Sequence, residues 1–164
     1  MAVAVFLDTS VLLAGLVDFG PQSAPAQSVL HLVAEKSLPG SRTAWHCCLE
    51  FFSVATRLPP EYRLQPAEAV QLLLDEVLAR LSVHDLPTAD REALLKAAVQ
   101  DGTAGGRIYD AHIAEVARTS GATIIVTDNR RHFITSLRHG MRVETPSEFL
   151  AAQRKGRQGG GPAT

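Results

Sequence analysis

Residues 122–128 read Ala-Thr-Ile-Ile-Val-Thr-Asp. β-Branched side chains dominate this stretch, and they fit a pleated, buried surface. It reads as the strongest strand in the chain, and it ends on an acid. The amino terminus repeats the pattern: residues 2–7 are an unbroken apolar run rich in Val and Phe, followed by Asp8. Such a run, without polar alternation, marks a strand buried on both faces. Strands of that kind belong to parallel sheets covered by helices on each side.

Helical patterns fill the sequence between these runs. Asp8, Thr9 and Ser10 are N-cap residue types, and residues 11–17 follow as a short helix. A second helix covers 26–34. A third runs from His46 to about Leu58 and stops at Pro59-Pro60. Pro66 at the first helical position opens 66–80, and these two helices form an antiparallel hairpin. Thr88 caps 89–100, and 107–119 is a helix behind a loop containing Gly102, Gly105 and Gly106. Weaker strands are expected at 43–45, 81–84 and 141–144. Thr145-Pro146-Ser147-Glu148 is a capping box that opens a last helix to about Gln153. Strands alternating with helices predict a three-layer α/β/α sandwich with a mostly parallel central sheet of about five strands. One domain over 1–153 is expected, with 154–164 as a flexible basic, Gly-rich tail. Ligands of such sheets sit beyond the carboxyl ends of the strands, where the strand order reverses.

Composition narrows the function classes. A chain of 164 residues fits one domain and buries enough surface to fold without disulfides or a structural metal. A net charge of −1 excludes holding nucleic acid by bulk charge, so any such binding needs a local patch. An aromatic content of 5% disfavours an extended base-stacking surface. Cys47 and Cys48 are adjacent and lack metal-ligand spacing, which suits a reduced, cytoplasmic setting. The first basic residue is Lys36, and Asp8 interrupts the apolar amino terminus, so a signal peptide is not expected. No apolar run approaches a bilayer span, so no membrane is expected as a partner.

Asp8 and Asp128 both follow a strand directly, which puts two carboxylates on the ligand edge of the sheet. Alone, Asp8 is an N-cap and Asp128 a turn residue. Asp110 lies in Gly-Gly-Arg-Ile-Tyr-Asp-Ala-His-Ile-Ala, where it interrupts a helical stripe continued by Ile113, Ala114 and Ala117. Its ordinary reading is an acid near the positive helix end. Glu50 sits in the third helix, where a solvated face is the default. If all four converge, each pair about 5 Å apart repels by about 3 kcal/mol at an effective dielectric near 20. A divalent cation relieves that repulsion, and all-oxygen ligands select hard ions such as Mg²⁺ or Mn²⁺. Such a centre suits phosphodiester hydrolysis.

Leu7-Asp8-Thr9-Ser10, Glu50 in Cys-Cys-Leu-Glu-Phe-Phe, Tyr109-Asp110-Ala111 and Val126-Thr127-Asp128 together resemble the motif set of PIN domains, most closely the VapC toxins of bacterial toxin–antitoxin pairs. The resemblance spans residues 3 to about 150. It implies a metal-dependent ribonuclease, a homodimer, and a cognate VapB-type antitoxin that occupies the active-site groove. It also implies that Asp8, Glu50, Asp110 and Asp128 hold Mg²⁺ or Mn²⁺, with Thr9 and Thr127 as supporting hydroxyls. Asn129 stands where some members carry a further acid.

Residues 129–142 hold Arg130, Arg131, Arg138, Arg142, His132 and His139, and no acid. They read either as a phosphate-contacting rim for RNA, led by Arg130 and Arg131, or as a solvated connection. Arg107, one turn before Asp110, either contacts phosphate or pairs with that acid. The hairpin is expected to present Phe51, Phe52, Leu72, Leu73 and Val77 as an interaction surface. His46-Cys47-Cys48 reads as packing, because consecutive helix positions face different ways. A haloacid-dehalogenase phosphatase needs an acid where Ser10 stands, which argues against that function. Two other functions stay open. A PIN-domain RNA-processing nuclease that is not a toxin, and a non-catalytic RNA- or partner-binding module, share the fold.

Overall fold

A computed structural model describes residues 3–159. Strand β1 (Val5–Leu7) is followed by α1 (Thr9–Leu16), a 3₁₀ turn (Pro21–Ser23) and α2 (Ala24–Ala34). Strand β2 (Arg42–Ala44) leads into α3 (Trp45–Ala55). Helix α4 (Pro66–Leu72) continues as a π-helical segment (Leu73–Leu78) into β3 (Ser82–His84). After a 3₁₀ turn (Thr88–Asp90) come α5 (Arg91–Gln100), α6 (Arg107–Thr119) and β4 (Ile124–Val126). A 3₁₀ helix (Arg130–His139), β5 (Arg142–Glu144) and α7 (Pro146–Gln158) complete the order.

The five strands form one sheet in the order β3-β2-β1-β4-β5, and every neighbouring pair is parallel. Phe6 lies opposite Ile125, and Ile125 opposite Val143. All residues of β1 and β4 are buried, as their unbroken apolar sequences require. The chain first builds outward from β1 through β2 to β3, then returns to the other side of β1 for β4 and β5. The reversal falls between β1 and β4, which are the two strands that end on Asp8 and Asp128. The expected α/β/α architecture is therefore present, with an entirely parallel sheet. No helix among the described residues is long and apolar enough to cross a membrane.

Several boundaries differ from the sequence reading. Each strand is three residues long, shorter than the apolar runs that precede Asp8 and Asp128. Residue 2 of the expected first strand lies outside the described residues. Trp45 starts α3 and does not end a strand. Thr88 begins a 3₁₀ turn, and Asp90 takes the position before α5. The expected helix over 66–80 changes to π-helical winding at Leu73. This puts Val77 in the core while Leu74 and Leu78 stay exposed. Phe51 is also fully buried, so Phe51 and Val77 belong to the core and not to the expected interaction surface. The exposed apolar residues of this hairpin are Trp45, Leu49, Val70, Leu74 and Leu78. The Thr145 capping box forms as expected, but α7 runs past Gln153 to Gln158. The rest of the expected tail, 160–164, lies outside the described residues.

The basic segment also differs from a solvated connection. Residues 130–139 form a 3₁₀ helix that packs on α6 and buries Phe133 and Ser136. Cys47 and Cys48 are both buried free thiols, and burial pushes them up to about 12 and about 11.

Candidate active site

Asp8 occupies the N-cap position of α1, yet its side chain makes no capping bond to the helix amides. It turns to two hydroxyls instead. Thr127 Oγ1 donates to Asp8 Oδ2 at 2.8 Å, and Ser10 Oγ donates to the same oxygen at 2.9 Å. The contact with Thr127 joins residues 119 apart in sequence, and it exists because β1 and β4 are neighbours. The Asp8 amide also donates to the Val126 carbonyl at 3.1 Å, which locks the two strand ends together.

Asp8 is 4% exposed. Burial holds its carboxyl above the usual carboxylate range, and the Glu50 charge adds to the rise. The bonds from Thr127, Ser10 and the Thr9 backbone work the other way. Among the described residues, no Lys, Arg or His forms an ion pair with Asp8. A buried acid without a cation partner is costly.

Glu50 comes from α3, across the sheet edge from α1. Thr9 Oγ1 donates to its Oε2 at 3.1 Å, and His46 Nε2 lies 3.8 Å from the same oxygen. Asp128 is exposed just beyond β4, and its amide donates to Ser10 Oγ at 3.1 Å. The Asn129 amide donates to Thr127 Oγ1 at 2.9 Å. Thr9 and Thr127 thus each hold one acid of the set, and Ser10 links Asp8 to the Asp128 backbone.

Asp110 is held differently. Its Oδ2 lies 3.3 Å from His132 Nδ1, on the 3₁₀ helix that packs against α6. The two side chains line a cleft of about 410 Å³ with Arg107, Arg131 and Thr103. Gly102, in a left-handed conformation with φ of 64°, forms part of its wall. Arg107 shares the cleft but makes no ion pair with Asp110 among the described residues. Like charges repel, and each carboxylate takes the donor its own surroundings offer. Among the described residues, no three His, Cys, Asp or Glu side chains stand together as a ready coordination group.

The basic residues divide into two kinds. Arg130 pairs with Glu148 at 2.8 Å, Arg138 with Asp101 at 2.8 Å, and Arg142 with Glu144 at 3.5 Å. Arg131 lines the Asp110 cleft and makes no ion pair among the described residues.

Three residues that touch the acids are absent from the sequence-based set: Ser10, His46 and His132. Ser10 was legible as a hydroxyl two positions after a strand-end acid. His46 precedes Glu50 by one helical turn, a spacing that brings side chains together. Nothing local couples His132 to Asp110, because that contact needs the 3₁₀ helix to pack on α6.

A parallel five-stranded sheet whose neighbouring strands β1 and β4 run into Asp8 and Asp128 frames the site. The chain matches the PIN domain family over residues 4–131, and it belongs to that family. It is similar to Ribonuclease VapC40 of Mycobacterium tuberculosis, with 29% identity over 127 residues, 75% of this chain and 85% of that one. Its fold is similar to the crystal structure of Mycobacterium tuberculosis VapC20, described as a sarcin–ricin loop cleaving toxin. That match has a TM-score of 0.57 and 20% identity, and it covers 74% of this chain and 87% of VapC20. The structure of VapBC-1 from nontypeable Haemophilus influenzae matches with a TM-score of 0.54 at 17% identity, over 88% of this chain and 98% of that one.

Proposed function

We propose that this chain is a Mg²⁺- or Mn²⁺-dependent endoribonuclease and the toxin of a VapBC-type toxin–antitoxin pair, working in the cytoplasm. The observation that carries this reading is Asp8: a buried carboxylate at the sheet's reversal point, held by two neutral hydroxyls and beside a second acid. Family membership and the ribonuclease name of the relative support it.

The donor set fits a hard divalent cation. Both hydroxyls bind Asp8 Oδ2, and Oδ1 receives no side-chain hydrogen bond among the described residues. Asp8 and Glu50 provide carboxylate oxygens, the ligands that Mg²⁺ and Mn²⁺ prefer. In this reading Asp8, Glu50, Asp110 and Asp128 would hold the ion after drawing together, because no three of them stand as a group among the described residues. When bound, the cation supplies positive charge to the phosphodiester transition state and makes water more acidic. Thr127 and Ser10 fix the rotamer of Asp8, and Thr9 fixes Glu50. His132 orients Asp110. Arg107 and Arg131 bring RNA phosphate toward a centre whose own acids would repel it.

The partners in this reading are the RNA substrate, a VapB-type antitoxin and a second copy of the chain. An apolar groove of about 220 Å³ between α3 and the π-helical segment, lined by Trp45, Leu49, Val70, Leu74 and Leu78, is the surface assigned to protein contacts.

The direct test is RNA cleavage by the purified protein. Cleavage appears with added Mg²⁺ or Mn²⁺ and stops in EDTA. Cleavage that persists in EDTA overturns the metal mechanism.

The arginines give a separate expectation. Arg131→Ala weakens RNA binding across sequences alike and lowers the slope of log affinity against log salt by about 0.7, the value for one lost single-strand phosphate contact. Arg130→Ala changes the slope less, because Glu148 already neutralises Arg130. Affinity measured from low to moderate salt separates the two. An unchanged slope for Arg131→Ala makes that residue solvated surface.

A further inference from the structure

Tyr109 is an aromatic ring with one face occupied and the other open. It stacks on His46 with centroids 5.4 Å apart and planes 17° from parallel, yet it is 57% exposed. His112 meets His46 edge-on at 5.4 Å and 74°. Three rings from α3 and α6 therefore brace one another, and Tyr109 is the outermost. The ring contributes nothing to the buried core.

Its position matters as much as its exposure. Tyr109 directly precedes Asp110, and His46 lies 3.8 Å from Glu50. Through His46 the ring therefore stands beside Glu50, one of the acids. The Asp110 cleft, which begins one residue further along α6, carries Arg107 and Arg131, cations that suit an anionic chain. A protein helix with an apolar face has a better seat in the separate groove at Leu49, Val70, Leu74 and Leu78.

We propose that Tyr109, braced by His46, is a shelf on which one unpaired base of single-stranded RNA stacks beside the phosphate that is cut. A ring held parallel to a second ring, with its other face in water, is the geometry base stacking uses. Every base offers a π face, so the shelf positions the strand without reading its sequence. A low aromatic content rules against an extended stacking surface, but one base needs only one ring. Tyr109 is a positioning residue, and the assignment rests on the nuclease reading above.

The test uses a fluorescein-labelled 12-nucleotide single-stranded RNA of mixed sequence and the Asp8→Asn chain, which leaves the probe intact. In that background Tyr109→Ala and Tyr109→Leu weaken binding about tenfold, the size of one lost base–aromatic stack, while Tyr109→Phe keeps it. Replacing one nucleotide at a time by an abasic unit locates the stacked base. At that position the abasic unit weakens binding to the Tyr109 protein about tenfold and leaves binding to Tyr109→Ala unchanged.

Equal affinity of Tyr109→Ala and its parent overturns the shelf and leaves the nuclease reading standing. So does a loss of affinity that no abasic position shares. Unchanged RNA affinity with an altered oligomeric state in light scattering places the ring in a protein contact and also overturns it. No RNA binding by the parent, together with no cleavage by the unmutated chain in Mg²⁺ or Mn²⁺, overturns the nuclease reading itself.

Discussion

Asp8→Asn abolishes RNA cleavage and raises the melting temperature of the protein in EDTA. The two effects have one cause. Asp8 is buried between β1 and β4, and its charge is penalised there by desolvation and by Glu50. Asparagine keeps the size of the side chain and an oxygen for the Thr127 and Ser10 hydroxyls, but carries no charge. Activity falls because the variant cannot hold a divalent cation well. Residues that merely orient a metal ligand cost about 10–100-fold when lost, so a direct ligand costs at least about 100-fold. Stability rises because an unpaired buried charge has gone.

The pH dependence isolates the residue. The folded-state pKa of Asp8 lies above its ordinary value of 3.8, so the folded chain binds this proton more tightly than the unfolded chain. The penalty is absent below the unfolded pKa and complete above the folded one. In EDTA the stability gap between Asp8→Asn and the parent therefore opens as pH rises from about 4 toward neutrality. Added Mg²⁺ or Mn²⁺ raises the melting temperature of the parent more than that of the variant, since a ligand stabilises only what it binds. A folded Asp8→Asn that still cuts RNA removes Asp8 from the centre. A stability gap that does not change with pH shows that its charge is not what burial opposes.

Thr127→Val destabilises the protein by about 3 kcal/mol at pH 7, although valine fills the same space. Thr127 is fully buried, and its hydroxyl donates to Asp8 and accepts from the Asn129 amide. Valine leaves both groups without that partner. Hydrogen bonds to charged groups contribute about 1.5–3 kcal/mol, and an orphaned amide adds about 1 kcal/mol or more. Cleavage falls about 10–100-fold, because Asp8 loses one of the two hydroxyls that orient it. Thr127→Ser restores most of both. Urea unfolding measures the stability, and an isosteric change costing under about 1 kcal/mol contradicts the hydroxyl's role.

Much of the site's location was legible in sequence, and for a physical reason. A strand covered on both faces must be apolar throughout, so the runs ending at Leu7 and Val126 announced themselves. The residue after such a strand in a parallel sheet stands at the ligand edge, which singled out Asp8 and Asp128. Asp8 does stand at the N-cap position of α1, but the side-chain hydrogen bonds to its carboxylate come from the Ser10 and Thr127 hydroxyls. The hairpin was legible as two helices but not as a surface. Helical periodicity does not record the π-helical turn at Leu73, and that turn decides that Val77 goes inward while Leu74 and Leu78 stay outside.

By itself, the sequence determined that a parallel α/β sheet forms and that acids stand at its carboxyl edge. Both follow from the pattern of apolar and polar residues along a single strand, which is a local property. Only the tertiary structure decided which partners those acids have. The strand order set β4 beside β1 and so gave Asp8 the Thr127 hydroxyl, 119 residues away. Packing of the 130–139 helix on α6 gave Asp110 its histidine and put Arg131 in the same cleft, without an ion pair among the described residues, while Arg130 was tied to Glu148. The same fold set Tyr109 against His46 from a different helix. These contacts depend on which elements become neighbours in space, and the periodicity of a segment carries its own burial but not the identity of what it will be packed against.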